Sequence, residues 1–252
     1  MLNRMGKLIG MSSRASDGEL GKVKDVYFDD HRWAVRYLIV DTGGWLVDRK
    51  VLISPIAIER VDWNKRSVQV RLTRQQVRVS PPIDTDKPVS RQHEVDFLAY
   101  YGYPSYWGGP FMWGTTSYPQ PGPTATLTPI HYALDAQARA VTDPHLRSVH
   151  ELSGYRLKAS NGLMGHLEDL LVDSESWAIR YIVVDTRNWW PGKHVLISPQ
   201  WITRVDWAER LVTLDVARDT VQSAPEYDPG SEYSRAHEAS LHRHYQRPGY
   251  WQ

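Results

Sequence analysis

The chain has 252 residues, no cysteine and a formal net charge of +1. The absence of cysteine excludes disulfides, thiolate nucleophiles and cysteine-ligated zinc. The near-zero charge argues against a nucleic-acid-binding protein, for which a marked basic excess is typical. No apolar run reaches the roughly 18–20 residues of a membrane-spanning helix, and the N-terminus lacks a signal-peptide pattern. We therefore expect a cytoplasmic protein without a membrane span.

Short β-rich runs separated by closely spaced turn signals occupy the first 72 residues. The β-branched and aromatic content of these runs predicts strands, and the strands are expected at residues 20–28, 33–40, 49–53, 58–62 and 67–72. Two helices are predicted after them, at about 74–79 and 91–101. Ser90 caps the second helix, and Glu94 in its first turn suits the helix dipole. Residues 108–130 are rich in Gly, Pro, Ser and Thr and predict an extended linker, whereas residues 131–142 have a helix-tolerant composition.

The whole pattern then returns at a constant offset of 144 residues. The run Trp33–Thr42 reappears as Trp177–Thr186, and Val51–Pro55 reappears as Val195–Pro199. Two copies at so long a period indicate a duplicated domain rather than a solenoid. The first copy carries a net positive charge and the second a net negative charge. This difference indicates either that the oppositely charged halves attract each other or a neighbouring copy, or that two solvated surfaces drifted after the duplication.

The order of turn and strand residues within a copy resembles the PRC-barrel family. The residues that carry the resemblance are Gly10, Asp17-Gly18-x-x-Gly21-x-Val23-x-Asp25-Val26, Asp29, Trp33, Tyr37–Asp41 and Leu52–Pro55. The resemblance implies a bacterial adaptor module, found also in the photosynthetic reaction-centre H subunit and in a ribosome maturation factor. Closure into a barrel would remove exposed strand edges.

We therefore predict a mainly β protein of two tandem, small, six-stranded β-barrels, each followed by a short C-terminal helix. The predicted boundaries are residues 1–107 for the first repeat, 108–148 for a Pro/Gly/aromatic linker and 149–252 for the second repeat.

Four aspartates recur in both copies and are candidates for acid–base chemistry. They are Asp25/Asp169, Asp29/Asp173, Asp41/Asp185 and Asp62/Asp206. Most follow strands beside turn residues, where aspartate normally bonds to the backbone, and no nucleophile motif accompanies them. We interpret them as structural, and we predict no catalytic residue.

Histidines near the last helix of each copy invite a metal interpretation, because Glu238 and His242 have the i, i+4 spacing of helical metal ligands. The other members are His93-Glu94, His237 and His244. The first copy has Leu98 in place of His242, so the ligand set is not shared. We expect no metal and no cofactor there.

Two further features favour structural roles. Asp41-Thr42-Gly43-Gly44 lacks the Lys-Ser/Thr of a phosphate loop, which favours a hairpin turn. Arg36/Arg180 and Arg60/Arg204 could bind an anion, but pairing with a repeated aspartate explains them equally well.

The aromatic residues of the linker are the predicted partner-binding residues. Tyr106-Trp107 recurs as Tyr250-Trp251, which favours packing onto the domain. Phe111, Trp113 and Tyr118 have no counterpart in the second copy, and exposed aromatics mark interaction surfaces. The preferred function is therefore a non-catalytic scaffold that binds an unknown protein partner or self-associates as a homo-oligomer. The alternatives are an accessory of a membrane-associated electron-transport complex, and a small-molecule sensor or enzyme with a site between the barrels.

Overall fold

The computed structural model describes residues 1–46, 49–81, 89, 91–121, 145–186 and 193–252. These residues form two compact units. The first-repeat unit consists of Lys7–Ser148 with Glu175–Ala178, and the second-repeat unit consists of Met1–Gly6, Val149–Ser174 and Ile179–Gln252. No helix in these described ranges is long and apolar enough to cross a membrane. The predicted helix-tolerant segment at 131–142 and the predicted cap Ser90 lie outside the described residues.

Seven strands form the sheet of the first-repeat unit. They are β2 (Ser12–Ala15), β3 (Gly18–Asp29), β4 (Ala34–Asp41), β5 (Lys50–Ile53), β6 (Ile58–Asp62), β7 (Ser67–Val70) and β8 (Leu146–Ser148). The order is β5-β4-β3-β2-β7-β6, with β8 added to β3, and the pairing is antiparallel except between β2 and β7. Two helices follow β7, α1 (Arg74–Arg78) and α2 (Arg91–Tyr101).

The second-repeat unit has the same topology. Its strands are β1 (Leu2–Arg4), β9 (Arg156–Ala159), β10 (Gly162–Asp173), β11 (Ile179–Asp185), β12 (His194–Ile197), β13 (Ile202–Asp206) and β14 (Leu211–Leu214). Their order is β12-β11-β10-β9-β14-β13, with β1 added to β10. The helices of this unit are α3 (Val149–Leu152), α4 (Arg218–Gln222) and α5 (Arg235–His244).

The first strand of each repeat belongs to the sheet of the other repeat. Leu2 of β1 pairs with Asp173 of β10, and Leu146 of β8 pairs with Asp29 of β3. The two pairings are equivalent in register, because each residue of one pair lies 144 positions from its counterpart. The units therefore exchange their N-terminal strands.

The prediction of a mainly β protein is confirmed by these elements, and the two sheets with their helices are compatible with the predicted pair of repeats. The closed six-stranded barrel is not confirmed. Each sheet has seven strands, the seventh supplied by the exchange, and within the described ranges no pairing joins the end strands β5 and β6, or β12 and β13.

The glycine that recurs in the motif as Gly21 and Gly165 is required by the backbone geometry. Their φ angles are +141° and +34°, a region that favours glycine. A Cβ at Gly21 would lie 1.9 Å from the carbonyl oxygen of Asp41, and one at Gly165 would lie 2.1 Å from that of Asp185. The neighbouring strand approaches so closely that only glycine fits at either position.

Strand β4 is buried on both faces, although strands of antiparallel sheets commonly expose one face. Tyr37 and Ile39 form a cluster with Phe97 and Leu98 of α2 and with Leu146 of the exchanged strand. The helix therefore covers the face of the sheet that would otherwise meet solvent.

Candidate functional site

A groove with a volume of about 360 Å³ lies at the end of α2 in the first-repeat unit. Its walls come from the turn after β5, from α1, and from the residues that end and follow α2. The principal lining residues are Ala57, Arg71, Gln76, Tyr100, Tyr101 and Tyr103. We call it the tyrosine groove.

Glu94 fixes α2, and with it the groove, on the sheet. Its side chain is only 2% exposed. The Glu94 carboxylate accepts hydrogen bonds from the Oη atoms of Tyr37, at 3.2 Å, and Tyr106, at 2.5 Å. Arg91 lies 2.9 Å away on the same helix. The carboxylate therefore joins strand β4, helix α2 and the segment after the helix.

Burial is the main influence on titration in this cluster. Burial raises the pKa of Glu94 to about 7, although Arg91 and the two tyrosine hydroxyls act in the opposite direction. Burial, with a smaller effect from the Glu94 charge, also raises the pKa of Tyr37 and Tyr106 well above the usual value. Both tyrosines therefore stay protonated and can donate to the carboxylate.

The tyrosines of the groove form a stacked wall. The ring of Tyr101 lies 5.4 Å from that of Tyr103, nearly parallel, and 4.9 Å from that of Phe97. Tyr100 donates from Oη to the carbonyl oxygen of Gln76 at 2.8 Å. Burial raises the pKa of Tyr101 and Tyr103 to about 12. The wall is therefore neutral and largely aromatic, with the exposed Arg71 beside it.

The second repeat fills the equivalent position with its own side chain. Trp201 stands where the first repeat has Ala57. Trp201 is 3% exposed, and its ring lies 4.4 Å from that of Tyr245, the counterpart of Tyr101. Arg247 and Asp215, which replace Tyr103 and Arg71, form an ion pair of 2.8 Å. The groove of the first repeat thus has the walls of an aromatic pocket without the tryptophan.

Of the three predicted partner-binding aromatics, Phe111 and Tyr118 are exposed and Trp113 is buried. Phe111 and Tyr118 are about half exposed, at 50% and 48%. Trp113 is only 4% exposed, and its Nε1 donates to the carbonyl oxygen of Ser176 at 2.8 Å. Its predicted place on an exposed surface is therefore wrong, because the segment turns back at residues 111–116 and directs this ring inward.

The packing predicted for Tyr106-Trp107 and Tyr250-Trp251 agrees with the structure for the tyrosines. Tyr106 is buried and donates to Glu94, and Tyr250 donates to Glu238 at 2.7 Å. Trp107 packs against the cluster around Tyr37, whereas Trp251 keeps 36% of its surface exposed.

Each repeated aspartate with a described contact takes part in local or strand-to-strand bonding. Asp25 accepts from Ser148 of the exchanged strand at 2.6 Å, and Asp169 accepts from Arg4 at 2.7 Å. Asp29 bonds the backbone of its own turn. Further backbone donors bond to Asp41 and Asp62 of the first repeat and to Asp206 of the second. These carboxylates hold turns and exchanged strands.

The repeated arginines largely pair internally. Arg36 is buried, lies 3.2 Å from Asp29 and stacks 3.8 Å from the ring centre of Tyr106. Arg180 lies 3.7 Å from Asp173, and Arg204 lies 2.8 Å from Asp206. Arg60 is exposed.

The histidines of the last helices also have structural contacts. His237 forms a capping box with Ser234. His242 lies 3.0 Å from the hydroxyl of Tyr181, and burial lowers its pKa. His244 lies 2.8 Å from the carbonyl oxygen of Thr220. His93 is exposed.

A second groove of the first-repeat unit, of about 690 Å³, has a mixed lining of apolar surface and charged side chains. Asp41 contributes to it together with Glu19, Lys22, Lys24, Trp45 and Arg74. The segment Asp41–Gly44, whose glycines were assigned to a turn, forms one edge, and Gly43 donates from its backbone to Asp41 at 3.0 Å. Sequence reasoning identified neither groove, because both depend on residues distant in the chain.

Residues 5–77 match the family model of the PRC-barrel domain. The matched region covers β2 to β7 and the start of α1, the part of the chain that forms the sheet under the tyrosine groove. No curated protein is significantly similar to the chain.

Proposed function

We propose that this protein is a non-catalytic scaffold whose tyrosine groove accepts an aromatic side chain of a partner protein. The observation that carries the proposal is that the first repeat has alanine, Ala57, at the position where the second repeat has tryptophan, Trp201. In the second repeat a tryptophan completes the pocket from within the chain. In the first repeat a side chain of the same chemistry can come from a partner.

The chemistry of the groove suits such an anchor. Tyr101 and Tyr103 offer aromatic faces, and rings pack favourably against rings in offset or edge-to-face geometry. Buried aromatic anchors in desolvated pockets contribute much of the binding energy of protein interfaces. The positive charge of the exposed Arg71 at the rim favours an acidic residue beside the anchor.

The remaining observations agree with a binding role. Phe111 and Tyr118 expose aromatic surface in the same unit, and the PRC-barrel domain at residues 5–77 suggests a small module that often serves protein interactions. The repeated aspartates that could have served acid–base chemistry are occupied in turns and in strand exchange. We therefore assign no catalytic residue.

The proposal is tested by filling the groove. Ala57→Trp copies the side chain of the second repeat, and Leu163→Trp adds the same side chain at an exposed position of the other unit, where Leu163 is 56% exposed. Wild type and both variants, each carrying a photo-crosslinking residue at position 100, are compared in the native cell. Crosslinked partners are identified by mass spectrometry.

We expect wild type and Leu163→Trp to crosslink the same partner and Ala57→Trp to lose it. Mapping the crosslink to an aromatic residue of the partner would support the groove as an anchor site. An unchanged crosslink in Ala57→Trp contradicts the proposed groove. A crosslink to a second copy of the chain would establish self-association as the interaction.

Two other functions are distinguished by separate outcomes. A partner that is part of a membrane-associated electron-transport complex would make the protein an accessory of that complex. A small-molecule sensor is favoured by the 690 Å³ groove, whose lining combines apolar surface with charged side chains, and Trp45→Ala tests it. A bound metabolite detected by native mass spectrometry and lost in Trp45→Ala, but kept in Ala57→Trp, would support the sensor.

A further inference from the structure

Strand exchange brings together three side chains that are far apart in the sequence. Asp30 and His31 lie in the turn between β3 and β4, and His145 directly precedes β8. Because Leu146 pairs with Asp29, the backbone nitrogen of Asp30 donates to the carbonyl oxygen of His145 at 3.0 Å. The pairing therefore fixes His145 beside the turn.

The side-chain atoms converge on one point. Nε2 of His31 and Nδ1 of His145 each lie 3.9 Å from Oδ1 of Asp30. One ligand atom from each of the three residues lies within 4.8 Å of the other two. Bonds of about 2.0–2.1 Å to a tetrahedral metal ion place neighbouring ligand atoms roughly 3.4 Å apart. A rotation of His31, whose side chain is 67% exposed, can supply much of the remaining movement.

The neighbouring groups orient the carboxylate for this role. Arg147 holds Oδ2 of Asp30 at 3.0 Å, so Oδ1 is the oxygen directed at the imidazoles. Oδ1 is buried and accepts no hydrogen bond from the described part of the chain. The two imidazole rings lie 4.0 Å apart.

We propose that Asp30, His31 and His145 form a binding site for a divalent transition metal ion, with zinc as the best match. Two imidazoles and one carboxylate are a ligand set that zinc accepts readily. Three protein ligands leave a fourth position for water. The positive charge of Arg147 acts against the cation, so the site is of moderate affinity.

The second repeat provides a natural comparison. Ser174, Glu175 and Met1 occupy the positions of Asp30, His31 and His145. Ser174 also donates from its backbone nitrogen to the carbonyl oxygen of Met1 at 3.0 Å, so the local backbone is the same. The two repeats therefore share the backbone arrangement here, but only the first has imidazole side chains at these positions.

The site would also hold the exchanged strand. His145 precedes β8, whereas Asp30 and His31 belong to the sheet that β8 joins. A metal ion that binds the folded state alone stabilises it in proportion to its concentration and affinity. Zinc is thus expected to fasten β8 to β3.

Zinc binding is measured on the full chain by isothermal titration calorimetry, with His31→Ala, His145→Ala and His93→Ala as variants. His93 is an exposed histidine of the same unit that belongs to no proposed site. We expect one zinc ion per wild-type chain, a loss of at least about tenfold in affinity for the first two variants, and no change for His93→Ala. Long-range ¹H–¹⁵N NMR spectra should show zinc-induced shifts at Nε2 of His31 and Nδ1 of His145.

Hydrogen exchange gives a second, independent result. Zinc should slow the exchange of the β8 amides in wild type and leave those of β1 in the second-repeat unit unchanged. Failure to bind zinc, or a zinc ion that survives both His31→Ala and His145→Ala, would overturn the proposal. Because His31 is exposed on a turn, His31→Ala is expected to fold normally.

Discussion

Leu2 is the strand partner of Asp173, a residue of the other repeat. In a chain without exchange the same leucine would pair with Asp29, since Asp29 and Asp173 are equivalent. The partner of Leu2 thus distinguishes exchanged from non-exchanged repeats.

The exchange can be tested by crosslinking because the chain has no cysteine. Directly opposed residues of antiparallel strands have Cα atoms about 4.5–5.5 Å apart, within the range that a disulfide spans. Leu2→Cys/Asp173→Cys is therefore expected to form an intramolecular disulfide on mild oxidation, detected by thiol alkylation and mass spectrometry. Leu2→Cys/Asp29→Cys is the matched control and should keep two free thiols. The reverse result would show that β1 stays with its own repeat.

The buried Glu94 makes stability depend on pH. Burial raises its pKa to about 7 in the folded state, above the value of about 4.3 expected for an unfolded chain. The folded state therefore binds more protons than the unfolded state between these values, and the free energy of unfolding falls as pH rises from about 4.5 to about 7. The loss is on the order of 3 kcal/mol.

Urea unfolding of wild type and Glu94→Gln across pH 4 to 8 measures this effect. The difference between the two free energies should shift against wild type as pH rises through that window. Glu19→Gln, at an exposed position, removes the same charge elsewhere in the unit. A pH dependence identical in wild type and Glu94→Gln would contradict the assignment.

Trp113 is expected to contribute much more than the nearby Phe111 to the free energy of unfolding. Trp113→Ala removes a buried ring and the hydrogen bond of its Nε1 to Ser176. Such truncations cost about 3–5 kcal/mol in the free energy of unfolding. Phe111→Ala, at a half-exposed position, should change it by less than about 0.5 kcal/mol. Chemical denaturation of both variants checks the contrast, and equal losses would contradict the burial of Trp113.

Substitutions at the equivalent positions 57 and 201 are expected to change stability to different extents. Trp201→Ala empties a packed site and should lower the free energy of unfolding by about 3–5 kcal/mol. Ala57→Trp places the same ring beside a groove of about 360 Å³ and should lower the free energy of unfolding by less, at most about 1–3 kcal/mol, although Ala57 is itself only 2% exposed. Thermal and urea unfolding measure both. A severe loss in Ala57→Trp would mean that the groove cannot hold a tryptophan ring.

Local patterns in the sequence predict most of the strands and helices. The predicted strands at 33–40 and 58–62 correspond closely to β4 and β6, and the predicted helix at 91–101 corresponds to α2. Turn residues and β-branched runs act over a few positions, so these elements are visible in the sequence. The very short strands β1 and β8 carry too few residues for a periodic signal.

The exchange itself could not be predicted from the sequence. Strands β3 and β10 share one pattern of turn glycines, buried apolar residues and aspartates. Either could accept β1, and the choice depends on the path of the chain rather than on local chemistry. The candidate sites were missed for the same reason, because the groove and the Asp30-His31-His145 cluster join residues brought together only by tertiary structure. Trp113 was expected on the surface because its Gly/Pro-rich surroundings do not show that the segment turns back.

The strand exchange sets the order in which the protein can mature on the ribosome. Strand β8 leaves the ribosome after all other strands of the first-repeat sheet, whereas β1 is made first and must wait for β10. Neither sheet is complete until synthesis has entered the second repeat. A chain released after residue 107 would lack β8, so β3 would either pair with β1 in its place or keep an unpaired position, a template for β-strand pairing with another chain. The exchanged pairing of both sheets can therefore form only in a chain that has been made as far as β10.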